Sequence, residues 1–474
     1  MTASEPTNRS RLKAILGGSA GNLVEWYDWF AYSSFALYFA KHFFPKGDQT
    51  AQLLQAAAVF AVGFLARPLG AWLMGLYADR VGRRAALTMA VALMSAGSFA
   101  IALIPGYDHI GVWAPIALVA ARLVQGLSVG GEYGASATYM SEMAGKDRRG
   151  FWSSFQYVTL ISGQLTALAV LIVLQHSLAK ADLEAWGWRI PFVIGGLLAI
   201  VVFWMRTGLN ESASFENVAQ ADRPKVQMGH VAVVGGLFLL TLAGCGFVLK
   251  TLGMETGLGW CIGLLVLWQL SMVVPLARRH PKEVFSIIGL TAAGSLSFYA
   301  YTTYMQKFLV NTSGFSKDAA TAISAASLLV YMCAQPIYGL ISDKLGRKVT
   351  MGFAFGLGSI ITFPVMSALA GTSNMLTAFG LVTALVLAHS GYSSVSAVVK
   401  AEMFPAHIRA LGVALPYAIG NAVFGGTAEY VALAFKSAGH ESGFYAYVAI
   451  LMAIALIITI RLRNTQKHSL ILED

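Results

Sequence analysis

Along the chain, long stretches of apolar and small residues alternate with short stretches where lysine, arginine, aspartate and glutamate gather. A helix crossing a hydrocarbon core of about 30 Å needs about 20 residues, and by that measure the pattern predicts fourteen spans. The first six are 14–40, 52–75, 85–105, 111–141, 151–176 and 190–207. Two more follow at 229–249 and 257–277, and the last six are 284–306, 318–341, 349–371, 375–400, 409–436 and 443–462. This divides the chain into a polar tail (1–13), a six-span unit (14–207), a linker with two additional spans (208–283), a second six-span unit (284–462) and a final tail (463–474).

Composition sharpens this into a membrane protein. Apolar residues make up 57% of the 474 and charged residues only 12%, about half the usual share, too few to cover soluble domains of this total length. The net charge of +10 lies in short clusters between the apolar runs, with no extended basic face or nucleic-acid motif. With both termini inside, 23 of the 33 basic residues fall on the cytoplasmic side and eight outside, which is the positive-inside pattern. The three cysteines all lie in apolar runs, so no disulfide framework is expected. Neither metal-ligand spacing nor a nucleotide-binding loop occurs. Gly17-Gly-Ser19-Ala-Gly21 lacks the strand–turn–helix setting of a nucleophile elbow. No catalytic residue is assigned.

The chain repeats itself. Gly75-Leu-Tyr-Ala-Asp79-Arg80-Val-Gly82-Arg83-Arg84 returns 264 residues later as Gly339-Leu-Ile-Ser-Asp343-Lys344-Leu-Gly346-Arg347-Lys348. Glu142 leading to Arg149 returns as Glu402 leading to Arg409, offset by 260. Two motifs at nearly one offset indicate a duplicated unit of six spans, the arrangement of transporters whose site lies between two bundles. The acids in these loops add something beyond topology, which depends on Lys and Arg. Asp79, Arg83, Glu142 and Arg149 in one unit, with Asp343, Arg347, Glu402 and Arg409 in the other, are candidates for a cytoplasmic gate that latches the bundles.

The repeated loop resembles the hallmark of the major facilitator superfamily. Gly21-Asn22-Leu-Val-Glu25-Trp26-Tyr27-Asp28 and Trp186-Gly-Trp-Arg189-Ile-Pro191-Phe resemble its metabolite:proton symporter branch. Gly63-Phe-Leu-Ala-Arg67-Pro68, the run from Arg122 to Gly134, the run from Phe155 to Gln164, Thr303-Tyr304-Met-Gln306-Lys307, and the run from Asn421 to Tyr430 resemble the carriers of α-ketoglutarate in that branch. The likeness covers both six-span units but not 215–280, and such proteins have twelve spans, so the added pair departs from the pattern. The resemblance implies an all-α fold of two six-helix bundles with an extra pair inserted. It implies a monomeric carrier in the bacterial cytoplasmic (inner) membrane, importing α-ketoglutarate or a related di- or tricarboxylate with protons. Citrate, a C4 acid, betaine and uncoupled passage stay open as alternatives. The partners would be the small organic anion, protons and membrane lipid, with no nucleic acid and no cofactor beyond the proton as coupling ion.

Ionisable groups at bilayer depth are costly and mark pathways or coupling sites. Glu25 lies near the midplane, at 1.5 Å per residue from its span's start, and Asp28 is one turn further on nearly the same face. Both are proton-coupling candidates, since desolvation favours a neutral carboxyl and a nearby cation the ionised one. Arg122 lies at similar depth, and Gly126, Gly130 and Gly134 make a small-residue face for close helix approach. By resemblance to proton-coupled sugar porters, Arg122 would pair with Asp28 and be released on its protonation. Direct substrate binding is its other reading. Arg67 is the principal candidate for the anion, because guanidinium grips a carboxylate bidentately. A dicarboxylate needs a second cation, Arg122 or Lys307, the latter equally readable as snorkelling to the interface. Tyr304, Gln156, Gln164 and Asn421 complete the candidate substrate site. Glu132 and Glu429 read as packing partners, and the 229–277 pair as peripheral helices facing lipid.

Overall fold

The computed structural model describes residues 8–44, 48–81, 83–130, 141, 148–207, 228–404, 406–463, 465 and 469. For 8–21, 75–88, 205–207, 406–410 and a few positions between 228 and 275 it describes the backbone alone. All regular structure among these residues is helical. In chain order the helices are α1 (Asn8–Phe43), α2 (Gln49–Leu65), α3 (Arg67–Val81), α4 (Arg83–Leu103), α5 (Trp113–Val129), α6 (Arg149–Ser177), α7 (Lys180–Ala185) and α8 (Ile190–Thr207). After them come α9 (Met228–Arg279), α10 (Pro281–Tyr301), α11 (Met305–Asn311), α12 (Lys317–Leu345), α13 (Arg347–Ala370) and α14 (Met375–Ser393). The chain closes with α15 (Ser396–Glu402), α16 (Ala406–Gly420), α17 (Ala428–Ser437) and α18 (Glu441–Arg461). Nine helical stretches among the described residues are long and apolar enough to cross a membrane. Four shorter apolar helices, Met89–Leu103, Trp113–Val129, Ala232–Val248 and Gly259–Val274, accompany them.

Four stretches expected to be continuous are interrupted. Between α2 and α3, Pro68 has no N–H to offer the carbonyl of Phe64 one turn back, and the helix breaks at Ala66. Between α10 and α11 the Tyr304 N–H bonds five residues back to Tyr299 (2.8 Å), and the helix loosens over 302–304. In the 375–400 stretch the helix breaks at 394–395, where the Val395 N–H bonds three residues back to Tyr392 at 3.2 Å. Between α16 and α17, Asn421–Gly425 form a π-helical turn closed by Gly426 N–H on the Asn421 carbonyl at 2.8 Å.

The helices before Thr207 and after Arg279 form two groups that meet along α6 and α12. These two run antiparallel and touch at both ends and in the middle. Gly150 and Gly339 face each other so closely that a Cβ on either would stand 2.8 or 2.7 Å from the other's carbonyl oxygen. Ser162 reaches Met332, and Gln175 bonds Thr321 at the far end. Within the first group, a methyl on Gly126 would run into the Gly63 carbonyl and one on Gly130 into the Arg67 carbonyl. The small-residue face of α5 thus lets it lie directly on α2 and α3, while Gly134 lies outside the described residues.

The α9 stretch doubles back on itself. Fifty-two straight helical residues would reach about 78 Å at 1.5 Å each. Yet the Cys245 and Cys261 thiols each donate to the other's carbonyl at 3.7 and 3.6 Å, and Trp268 Nε1 donates to the Val234 carbonyl at 3.2 Å. One side exposes Leu239, Leu240, Phe247 and Leu267, as expected of a lipid-facing helix. The other packs against Ala61, Leu65 and Leu69 of the first group and Ala422 of the second, so this segment is not merely peripheral.

Gly126→Ala should destabilise the fold by about 1–3 kcal/mol through overpacking. Thermal unfolding in detergent measures this, and an unchanged midpoint would show that α5 and α2 separate freely.

Candidate functional site

The break at Ala66 places Arg67 at the first position of α3, 5% exposed. Its guanidinium carbon lies 3.8 Å from the centroid of Phe64, 4.4 Å from Trp29 and 4.9 Å from Trp26, a cage of cation–π contacts. Nε and Nη2 are buried with no hydrogen-bond partner among the described residues. Glu25 and Tyr299 lie within electrostatic reach, and the Asn421 side chain on the π turn lies beside the Tyr299 ring, both of them against Gly425. Phe64 meets Tyr299 edge-on at 5.4 Å. The cage is therefore closed by the second group, at the place where α2–α3 and α16–α17 both lose regular helix.

Asp28 and Arg122 form a separate cluster beside it. Asp28 accepts from Ser98 Oγ and, at 2.5 Å, from Gln125 Nε2, while Gln125 Oε1 accepts from Arg122 Nη1 at 2.7 Å. The direct Arg122–Asp28 approach is 3.8 Å. Gln125 thus stands between acid and base, one turn from Arg122 on the same face. Arg122 Nε and Nη2 are likewise buried without partners among the described residues. Its guanidinium carbon lies 3.8 Å from the centroid of Trp29, so that indole lies against both arginines.

Lys307 is 0% exposed and pairs with Glu429 at 2.8 Å. It also donates to Ser33 Oγ at 2.7 Å, and Ser33 donates to Glu429 at 3.0 Å, so a hydroxyl of the first group completes a charge pair of the second. The snorkelling reading of Lys307 and the packing reading of Glu429 both give way to this pair, because a buried ammonium requires a counter-charge. Tyr304 is buried, and its hydroxyl points to Glu441 at 3.5 Å. Gln156 and Gln164 are buried on α6, the Oε1 of Gln164 without a partner among the described residues.

Both ends of the seam are latched. At one, Asp343 accepts from the N–H groups of Gly150 (2.8 Å) and Phe151 (2.9 Å), capping the start of α6 from the other group. Arg347 bonds Asp343 at 2.7 Å, and Glu402 lies 3.9 Å from both Arg347 and Arg149. Four of the eight gate residues therefore meet. Glu142 and the side chains of Asp79, Arg83 and Arg409 lie outside the described residues, as does Glu132. At the opposite end, Glu184 on α7 accepts from Lys41 (2.6 Å) and Lys317 (3.0 Å), and Lys317 also donates to the Leu37 carbonyl at 2.9 Å. Burial works against the Glu184 charge, but the two lysines hold its pKa down to about 2.

Sequence reasoning missed Ser98, Gln125, Trp29, Ser33 and the Glu184 latch. The position of Gln125 three residues after Arg122 was the available signal. Ser33 and Ser98 carry none, because a serine in a span is ordinary until its neighbours are known.

Known proteins supply the class. The family model described as "Sugar (and other) transporter" matches residues 14–224, and that of the Major Facilitator Superfamily matches 285–472. The chain is 47% identical to the alpha-ketoglutarate permease of Escherichia coli (strain K12), over 98% of this chain and 96% of that protein. It is 30% identical to a citrate-proton symporter of Klebsiella pneumoniae, over 90% and 85% of the two chains. Among solved structures, the partially occluded inward-open xylose transporter XylE from E. coli matches with a TM-score of 0.69 at 17% identity, covering 95% of this chain and 97% of that one. At that identity the likeness is one of fold. The chain belongs to the major facilitator superfamily. It is a transporter, not an enzyme.

Because the folded pKa of Glu184 lies below its ordinary 4.5, the latch stabilises fully above that value and fades as pH falls toward about 2. The difference in unfolding temperature between wild type and Glu184→Gln should therefore be present at pH 6 and shrink below pH 4.5. A difference that stays constant would remove the latch from the stability of this end.

Proposed function

We propose that this chain imports α-ketoglutarate, or a closely related di- or tricarboxylate, together with protons by alternating access. The observation that carries the reading is Arg67: a buried guanidinium between the two groups, walled by aromatic rings, with two nitrogens unpartnered among the described residues. Such a group binds an organic anion by a bidentate grip, and the 47% identity to a permease of that substrate supports the assignment. Arg67 takes one carboxylate. Arg122 or Lys307 takes the other, Lys307 only after leaving Glu429. Tyr304 sits at the outer margin, while Gln156, Gln164 and Asn421 supply polar lining. The fourteen spans divide as 14–207 and 284–462 around the 208–283 insertion, with both termini cytoplasmic, a reading supported by the distribution of basic residues. That orientation makes the Asp343 latch, with its counterpart in Asp79, Arg83, Glu142 and Arg409, the cytoplasmic gate and the Glu184 latch the outer one.

Asp28 is the proton carrier, with Glu25 as the second candidate. Protonating Asp28 would weaken its hold on Gln125 and, through it, on Arg122, freeing that guanidinium toward the cage. Protonation would thus be linked to anion binding without any covalent step. The seam latched at both ends corresponds to the intermediate between outward and inward opening.

Proteoliposomes with an inside-alkaline gradient should accumulate labelled α-ketoglutarate, and no gradient-driven accumulation would sink the symport reading. Competition with unlabelled citrate, succinate and betaine ranks the substrates. Arg67→Lys keeps the charge but loses the fork, and should raise KM by about tenfold or more. Near-normal uptake would remove Arg67 from the anion clamp. Asp28→Asn should retain exchange of internal for external substrate and lose accumulation, whereas full accumulation would refute its coupling role.

A further inference from the structure

We infer that Gln269, on the doubled-back α9 segment, is a positioning residue for Arg67. Gln269 is fully buried and its Nε2 donates to the Leu65 carbonyl at 2.6 Å, the last residue of α2 before the break. A helix interrupted at hydrocarbon depth leaves carbonyls that must find donors within the protein, each costing several kcal/mol otherwise. Pro68 provides none to Phe64, and Leu65 is met from outside its own helix by the Gln269 amide. Two residues after Leu65 comes Arg67. The contact therefore holds the discontinuity that aims the guanidinium.

The surroundings of Gln269 fit this task. Ile262 and Leu265, on the same arm, pack on Ala61 and Leu65 on one side and on Ala422, next to Asn421, on the other. Trp268 and Met272 pack on Leu69, one helical step beyond Pro68. A Cβ on Gly259 would stand 3.2 Å from the Tyr430 hydroxyl. The segment thus buttresses both interrupted spans that frame the cage. It carries no charge of its own there, and its effect on transport passes through backbone geometry.

The inference rests on Arg67 as the anion-binding group, so its test has a part that needs no substrate. In Gln269→Leu, hydrogen exchange of a peptide covering 60–72 should speed up, since the Ala66 and Gly70 amides bond across the break, while a peptide covering 232–248 keeps its protection. Uptake of α-ketoglutarate by the same variant should show KM raised about tenfold, the expected effect of one lost buried hydrogen bond, with kcat within about twofold. Combined with Arg67→Lys it should add little beyond the single Arg67 change, because the two act through one group. Thr241→Val, which removes a bond to the Leu237 carbonyl within the segment only, should leave KM unchanged. If Gln269→Leu does not fold, Gln269→Asn, too short to reach Leu65, is read the same way. Unchanged exchange over 60–72, loss of protection across the whole segment, or fully multiplicative effects with Arg67→Lys would each overturn the positioning role. Wild-type uptake in the parallel assay tests the substrate itself, so the two readings fail separately.

Discussion

In a hydrocarbon layer every peptide N–H and C=O must be satisfied inside the protein, and unbroken helix is the cheapest way to do it. This chain departs from that solution at Ala66, at 302–304, at 394–395 and at Asn421–Gly425. Two of these interruptions converge where Arg67, Tyr299 and Asn421 meet. Each needs compensation: a π-type bond closes one, and a glutamine from a neighbouring helix serves another. Irregular backbone concentrated in one place, with its polar groups satisfied from the flanks, turns a helical bundle into something with a specific interior.

Buried charge obeys a parallel rule, and the chain answers it unevenly. Lys307 has Glu429, and Asp28 has Ser98, Gln125 and the more distant Arg122. Among the described residues, Arg67 has rings in place of a counter-ion at contact distance. The aromatic faces offset part of its desolvation without using the in-plane N–H groups, which stay available to a planar carboxylate. Among the described residues, three buried cations within one membrane layer are thus satisfied in three different ways: by a direct ion pair, through an intervening amide, and by aromatic faces.

How much of this was legible depended on range. Periodicity and loop charge carried the span pattern, and the repeated Asp343 loop marked a place where the two groups latch. Arg67, Arg122, Glu25 and Asp28 were visible because a charge within an apolar run has no innocent explanation. The Tyr304 hydroxyl lies beside Glu441, a partner 137 residues away that no spacing announced. Glu429 and Lys307 are 122 residues apart in the chain and only the fold brings them together. Gln269 gave no signal at all, since an amide in a span acquires meaning only from the carbonyl it meets.

The two latches are built from different materials. At the Asp343 end a carboxylate grips backbone N–H groups at a helix start, with Arg347 itself buried. At the Glu184 end two lysines on flexible stems share one carboxylate, and the Lys41 side chain is 49% exposed. Dissolved ions screen an open pair far more than one tucked into a helix terminus, and the screening length falls to about 8 Å at physiological ionic strength. The seam is therefore asymmetric toward its surroundings: the salt content of the medium loosens one lip and leaves the other largely untouched, so a chemically plain variable acquires a direction across the membrane.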